Sequence, residues 1–327
     1  MLYITRQEDS IECTEAPICT KPLWSASVQI RTPFYKDHMM IVFHSNRKPS
    51  PKWIPSNKYT YNFHILISNF QKTMRRKEFD SCLATTLQLL GQDAAAFLRR
   101  LAVVLLEDSQ LHPRLYNEVV WLMAAVSKGY VLTIADIGLI MDAITTALHS
   151  WVRYNLVKEG RQVDSRSASA TWIAIQLRAD AGGMKWDTAF LRRLADRYAD
   201  ADLPVEDEWY SINIEDIPEF NITDHIILEA VDFHCCPAIL KVAGALVAGA
   251  GDAKEAIWWH RSSLNVRVLE DEEAAMKEED ARAKTLEAWR RCQRAVREFS
   301  ERQVEQLGRE RVEVKAVQTL DKWFAKC

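Results

Sequence analysis

The densest group of chemically reactive side chains lies in the stretch DHIILEAVDFHCC, residues 224 to 236. Asp232 and His234 join a carboxylate to an imidazole, a pair that can bind a metal ion or transfer protons. On a continuous helix their side chains would diverge by about 200° around the axis, so only a turn brings them together. Pro237 favours a turn here. The alternative is a helix end with a buried histidine and no chemistry.

A second group lies in IWWHRSSLNVR, residues 257 to 267. Arg261, Ser263 and Arg267 are suited to holding an anion at the N-terminus of the helix that follows, because its first N–H groups lack partners within the helix. Ser263 or Asn265 is equally suited to capping that helix. We favour capping and keep anion binding as the alternative.

Two histidines and two cysteines near the N-terminus form a C-x5-C-x18-H-x5-H array of Cys13, Cys19, His38 and His44. Structural zinc sites use these residue types at tighter spacings, so we expect four unrelated residues. The sequence contains no G-x-x-x-x-G-K-[ST], G-x-S-x-G or H-E-x-x-H motif. These motif absences favour a protein that is not an enzyme and has no cofactor other than a metal at Asp232 and His234.

The strongest signal for binding is the distribution of charge. Residues 21 to 77 carry eleven basic side chains against one acid, Asp37, a net charge of +10. Because the whole chain carries −3, the remainder carries −13. A separation of this size indicates a polyanionic partner for the basic segment, such as nucleic acid or another acidic surface.

Aromatic residues are interleaved with these cations, from Trp24 to Phe70. Single-stranded nucleic-acid binders use this combination, with cations on the phosphates and aromatic faces stacked on bases. The alternative is that the aromatic residues form the core of a small sheet whose edges the lysines keep apart from other chains. The predicted nucleic-acid-binding residues are Arg31, Lys36, Arg47, Lys48, Lys52, Trp53, Lys58, Lys72, Arg75, Arg76 and Lys77.

Three strand-like runs lie within this basic segment. SASVQIR (25–31), MMIVF (39–43) and YTYNFHILI (59–67) are rich in β-branched and aromatic residues and are separated by Pro-, Asn- and Lys-rich stretches. We therefore predict a small β-rich region that ends at about residue 67.

Helices follow. Residues 80–90 and 93–107 carry apolar side chains at spacings of three and four. Pro113 suits the first turn of the next helix and Gly129 lies just past its end. Thr133 suits the N-cap of the helix after that.

The fold class is therefore mainly α: a helical body with a small β-rich N-terminal region and a long C-terminal helix. The polar break KEGRQVDSRS, residues 158 to 167, is the best boundary within the body. The predicted domains are residues 1–67, a basic β-rich head, 68–157, a helical subdomain, and 168–327, a helical subdomain that includes the long helix.

The long helix is predicted from residue 266 to about residue 307. Its apolar stripe consists of Leu286, Trp289, Cys292, Val296 and Phe299. A narrow stripe on a long charged helix packs either on its own domain or on a partner helix. We favour the first interpretation and keep a protein partner through this helix as the second.

Cysteine usage and hydropathy favour an intracellular protein, cytoplasmic or nuclear. Seven cysteines without a C-x-x-C pair are atypical of a secreted disulfide scaffold. The N-terminus has no signal-peptide pattern, and the most apolar stretch, residues 237–250, is too short to span a bilayer. We therefore expect no membrane association.

Residues 70 to 113 resemble the C-terminal helical domain of clamp-loader-like AAA+ ATPases of the replication-restart type. That family has a lysine and an arginine before an alanine- and leucine-rich helix, and then an Arg-Arg-Leu helix that ends in Glu-Asp. The matching residues here are Lys72, Arg75, Leu83, Leu87, Arg99, Arg100, Leu101, Glu107 and Asp108. The resemblance implies a helical oligomerisation or DNA-associated role, without the ATPase module because the P-loop motif is missing.

The leading hypothesis is a nucleic-acid-binding accessory protein, with a preference for single strands, that acts in DNA replication or repair without ATPase activity of its own. A metal-dependent enzyme centred on Asp232 and His234 is the first alternative. A helical interaction scaffold is the second.

Overall fold

A computed structural model describes most of the chain. The described residues are 1–7, 10–31, 38–47, 50–55, 61–109, 111–149, 165–182, 188–192, 194–195, 210–217, 220–226, 237–247, 250–260 and 272–310. They form two compact units, each built from two separate segments. We call Met1–Pro55 with Asp93–Glu219 the sheet unit, and Ser56–Gln92 with Phe220–Cys327 the helical unit. The sequence predicted contiguous domains, whereas the compact units interleave along the chain.

The sheet unit contains a four-stranded sheet in the order β2-β1-β4-β3. β1 and β4 are parallel, and each edge strand is antiparallel to its neighbour. The predicted small β-rich region is thus present. The sequence missed the first two strands because they are short and mix apolar with polar side chains. The strands are β1 (Leu2–Arg6), β2 (Ile11–Thr14), β3 (Trp24–Arg31) and β4 (His38–Ser45).

One face of this sheet is apolar. Ile4 on β1 pairs with Phe43 on β4, which pairs with Ala26 on β3, so the three side chains form one row on the same face. Ile4 and Phe43 are buried. Helices of the same unit cover this face, with α3 against β1 and α5 against β2 and β3. The amphipathic strands therefore form one layer of a two-layer core.

Local sequence signals mark several helix ends in the sheet unit. The named helices of this unit are the part of α2 (Phe79–Glu107) that starts at Asp93, α3 (Pro113–Val126), α4 (Ile134–His149) and α5 (Ser165–Asp180). Pro113 is the first residue of α3, and Gly129 just beyond its end has a φ of 86°, a left-handed conformation that favours glycine. Both predictions are confirmed.

The start of α4 is closed by a reciprocal cap. Thr133 Oγ1 accepts a hydrogen bond from the Asp136 N–H at 3.3 Å, and Asp136 Oδ2 accepts one from the Thr133 N–H at 2.8 Å. Two backbone donors at the helix start are thereby satisfied. This confirms Thr133 as the N-cap.

Helix α2 contains a break that the sequence also predicts. Asp93 has φ −155° and ψ 87°, outside the helical range, and its Oδ1 accepts a hydrogen bond from the Ala96 N–H at 2.9 Å. Asp93 therefore caps the second half of α2, and the boundary between the two compact units falls at this residue.

The helical unit corrects one predicted strand. Residues 63–67 belong to α1 (Phe63–Arg76), whose N-cap Asn62 accepts a hydrogen bond from the His64 N–H at 2.8 Å. The apolar run fits a strand or a helix equally well over its own length. Phe70 and Met74, both buried, extend it at helical spacing, and this longer pattern decides for a helix.

The rest of the described helical unit is also built mainly of helices. It comprises the first half of α2, α6 (Pro237–Gly244), α7 (Ala250–His260) and α8 (Glu272–Glu310). The stripe residues Cys292, Val296 and Phe299 are buried against side chains of α6 and α7, including Ile239 and Ile257. Over these residues, packing of the long helix on its own unit is confirmed. Residues 266–271 lie outside the described part.

Among the described helices, none combines the length and the apolar composition that crossing a membrane requires.

We expect Phe299→Ala to lower the free energy of unfolding of the helical unit by about 3 kcal/mol, because it leaves a cavity between α8 and α6 and α7. Denaturant unfolding checks the size of the effect, and hydrogen exchange over 237–260 checks its place. The exposed Arg297 is the matched control, and Arg297→Ala should change stability by less than about 1 kcal/mol. Equal effects of the two substitutions would contradict packing at Phe299.

Candidate functional site

Three of the predicted nucleic-acid-binding cations have described side chains that solvent reaches. Lys52 is exposed, and Arg47 and Lys77 are half-buried. Lys36, Lys48 and Lys58 lie outside the described residues, and for Arg31, Arg75 and Arg76 the backbone alone is described, at the ends of β3 and α1.

Lys72 differs from the other described cations. It lies on α1 and is only 7% exposed, so it is not presented to a polyanion at the surface. The basic segment also crosses from the sheet unit to the helical unit between Pro55 and Ser56. Each compact unit therefore carries some of the predicted cations.

The aromatic residues of the basic segment serve mainly as core. Phe43, Tyr61 and Phe70 are buried, and the Trp24 ring meets the Trp121 ring edge-on at 5.5 Å between centroids. The three buried side chains are therefore not available to stack on bases. Phe43 lies in the sheet core, as the structural alternative has it, whereas Tyr61 and Phe70 belong to the helical unit. The Trp53 side chain is half-buried, and the backbone N–H of Trp53 donates to the Leu132 carbonyl at 3.0 Å.

Two other predicted sites cannot be placed. Asp232 and His234, the predicted metal ligands, and Arg261, Ser263 and Arg267, the predicted anion site, lie outside the described residues. Among the residues that are described, no group of three or more His, Cys, Asp or Glu side chains is arranged to hold a metal ion.

Residues 224–226 are the described part of the stretch 224 to 236, and the contacts of His225 are structural. Asn69 on α1 donates to the His225 carbonyl at 2.9 Å and to Thr85 Oγ1 on α2 at 2.7 Å. The His225 ring lies 3.4 Å from Ser81 Oγ and packs edge-on against Phe220. These contacts join the turn Ile222–His225 to α1 and α2 within the helical unit.

The zinc array does not converge. Cys13 pairs with Ile4, which pairs with Phe43, so Cys13 faces the apolar side of the sheet. His44 is the next residue along β4 and faces the opposite side. Burial raises the pKa of Cys13 to about 11, so its thiol is protonated at neutral pH.

One buried polar group among the described residues of the sheet unit was not indicated by the sequence. The Arg6 guanidinium at the end of β1 is fully buried. Its Nε donates to Glu118 Oε2 on α3 at 2.7 Å, and its Nη1 donates to Asp136 Oδ1 on α4 at 2.6 Å. Burial alone would lower the pKa of Arg6, but the two carboxylates outweigh it and raise the pKa. Arg6 therefore stays charged.

Asp136 connects this ion pair to the turn before α4. Its Oδ2 accepts hydrogen bonds from the Thr133 N–H and Thr133 Oγ1, both at 2.8 Å, and from the Tyr130 hydroxyl at 3.1 Å. One carboxylate thus serves a helix cap, a tyrosine and a buried cation. Two of the three Arg6 guanidinium nitrogens are paired with carboxylates, and Nη2 has no hydrogen-bond partner among the described residues. The two carboxylates are what makes the buried charge tolerable.

Aromatic rings surround the same cation. The Arg6 guanidinium carbon lies 5.1 Å from the centre of the Trp121 ring, within range of a cation–π interaction. Trp24, Trp121 and Tyr130 meet one another edge-on with centroids 5.3 to 5.5 Å apart. The cation and the three rings therefore join the sheet, α3 and the turn before α4.

The chemistry of this group is structural. Arg6, Glu118 and Asp136 are each at most 2% exposed, so no substrate reaches them in this conformation. They fix the position of β1 against α3 and α4. The sequence signal for Asp136 is its place three residues after the cap Thr133, whereas Arg6 and Glu118, more than a hundred residues apart, share no local pattern.

Comparison with family models, with curated proteins and with solved structures found no match to this chain.

Arg6→Met should lower the free energy of unfolding by about 3–5 kcal/mol, because it leaves two carboxylates buried without their cation. Adding Glu118→Gln and Asp136→Asn should restore part of the loss, since no uncompensated charge then remains. Denaturant unfolding of the variants measures both effects. Arg291, in an exposed pair with Glu287, is the control, and Arg291→Met should cost less than about 1 kcal/mol. A similar small effect of Arg6→Met would contradict the assigned role.

Tyr130 should ionise far above the ordinary tyrosine pKa of about 10. Burial, and after it the charge of Asp136, raise the pKa of Tyr130 to about 12. The unfolded chain loses this proton first, so the contribution of Tyr130 to stability is complete below pH 10 and declines between about pH 10 and 12. The tyrosinate absorbance difference between the native protein and Tyr130→Phe, with circular dichroism to verify folding, measures the transition. A midpoint near 10 in folded protein would refute the expectation.

Proposed function

We propose that this protein is a nucleic-acid-binding accessory protein that contacts single strands through the basic segment, residues 21–77. The observation that carries the proposal is the charge separation, +10 in this segment against −13 in the remainder. A cationic segment of this density attracts a phosphate backbone by releasing the counterions condensed on it.

The side-chain positions support a contact made by charge more than by stacking. Lys21 and Lys52 are exposed and Arg47 is half-buried in the sheet unit, and Lys77 is half-buried in the helical unit. The described aromatic side chains nearby are largely committed to the core. We therefore propose recognition of the backbone, with weak sequence preference, because phosphate contacts position a protein without reading bases.

The setting in DNA replication or repair rests on the resemblance of residues 70–113 to the C-terminal helical domain of clamp-loader-like AAA+ ATPases. Two features of the described helices agree with that pattern. An alanine- and leucine-rich helix and an Arg-Arg-Leu helix follow one another across the break at Asp93, and the second ends at Glu107. On this proposal the protein acts inside the cell, in the cytoplasm or nucleus, without hydrolysing a nucleotide.

Binding to a single-stranded oligonucleotide should weaken steeply with salt. In a plot of log K against log salt, the slope should become shallower by about 0.7 for each phosphate contact removed. The test variant changes Lys48, Lys52, Arg75 and Arg76 together to glutamine, and fluorescence anisotropy over a salt series measures the constants.

The chain offers a matched control on α8. Arg290, Arg291, Arg294 and Arg297 are four exposed cations outside the basic segment. Their joint replacement by glutamine removes the same charge and should leave affinity and salt slope nearly unchanged. Equal weakening by the two quadruple variants, or binding that is insensitive to salt, would refute the proposal.

A further inference from the structure

The two edges of the sheet differ in a way that bears on assembly. β2 is four residues long, carries Glu12 and is contacted by α5. β3 is eight residues long and has no proline, glycine or charge before its last residue, Arg31. Natural edge strands are usually protected from pairing with other chains by shortness, charge, proline or a covering element. Because α5 contacts both edge strands, the two edges differ in length and charge: β2 is short and carries Glu12, whereas β3 is long and uncharged before Arg31.

Among the strands that the structure describes, β3 pairs with β4 alone. The main-chain N–H and C=O groups on its other side therefore face away from the sheet. Ser25, Ser27 and Gln29 on the polar face are exposed. An extended segment can add to such an edge through main-chain hydrogen bonds.

The apolar face is also incomplete at this edge. Ile41 and Phe43 on β4 are fully buried, whereas their partners Val28 and Ala26 on β3 are only half-buried. The rows of apolar side chains thus extend to the edge strand and become partly exposed there. A further strand with small apolar side chains at alternate positions would continue both rows.

From this edge we propose that two copies of the chain associate by antiparallel pairing of β3 with β3, which forms one continuous eight-stranded sheet across a two-fold axis. Residues directly opposite each other in paired strands have their side chains on the same face of the sheet. The apolar faces of the two copies therefore coincide only if one residue of β3 pairs with the same residue of the second copy, at the two-fold axis. A register centred on Ser27 pairs residues 23 to 31 of the two copies and so uses the whole length of β3.

The register centred on Ser27 is self-complementary. Ala26 then lies opposite Val28 of the second copy and Ser25 opposite Gln29, so apolar residues pair on the core face and polar residues on the other. Arg31 lies opposite Leu23, so the cations at the strand ends do not face each other. No like charges meet along the seam, and this favours a second copy over an unrelated segment.

Sedimentation over a range of protein concentrations tests the proposal. The native chain should dimerise, and Ser27→Lys should weaken dimerisation by roughly fivefold or more, because two lysines then lie directly opposite each other. Ser27→Glu should do the same. A mixture of the two variants should form a heterodimer more tightly than either variant alone. Because Ser27 is exposed, both variants should keep the native circular dichroism spectrum.

Ser25→Lys is the matched control for the register. Its lysine faces Gln29 of the second copy, so it should weaken dimerisation less than Ser27→Lys does. A native chain that stays monomeric would overturn the proposal. This holds also for a monomer that binds an extended peptide at β3. A dimer that both Ser27 variants leave intact would overturn it too, and failure of the mixed variants to associate would overturn the register at Ser27.

Discussion

Burial of the Arg6 guanidinium is the constraint on which the sheet unit depends. A cation removed from water is tolerated only where anions and acceptors replace its hydration, so Glu118 on α3 and Asp136 on α4 must both lie within hydrogen-bond distance of it. Because Asp136 also caps α4 through Thr133, a displacement of β1 would disturb the cap as well as the ion pair. The network therefore links the end of β1, the middle of α3 and the start of α4 through direct hydrogen bonds.

The same arrangement decides which side chains remain for function. Trp24 and Phe43 lie in the most aromatic part of the sequence, yet they complete the core around Arg6 and the apolar sheet face. Cations are left at the surface because lysine and arginine are costly to bury without partners. A partner recognised by this segment is consequently recognised by its charge. The free edge of β3 is a separate property, since it depends on main-chain groups and on small side chains.

Two compact units that interleave along the chain also explain why the charge is spread. The basic segment runs through Pro55 and Ser56, where the chain passes from the sheet unit to the helical unit. A second passage occurs at Asp93, where one helix ends and the next is capped. This second passage lies at a local break in regular structure, where a chain changes direction at least cost.

Local features of the chain could be read from the sequence because they depend on neighbours. Pro113, Gly129, Thr133 and the break before Asp93 all act within one turn of helix, and the stripe at Cys292, Val296 and Phe299 follows from helical periodicity. The charge of the basic segment is likewise a property of composition. Residues 63–67 were assigned wrongly because a run of five apolar and polar residues fits two periodicities, and only its continuation to Met74 distinguishes them.

Tertiary structure alone decided the rest. Arg6 and Glu118 are separated by more than a hundred residues, and no spacing rule connects a strand end to the middle of a helix. The parallel pairing of β1 with β4, the burial of Lys72 and the separation of Cys13 from His44 likewise follow from which faces meet in three dimensions. The sequence alone determined the helical class, several helix ends and the charge of the basic segment. Packing determined which residues of that segment remain available, because burial is a property of contacts between distant parts of the chain.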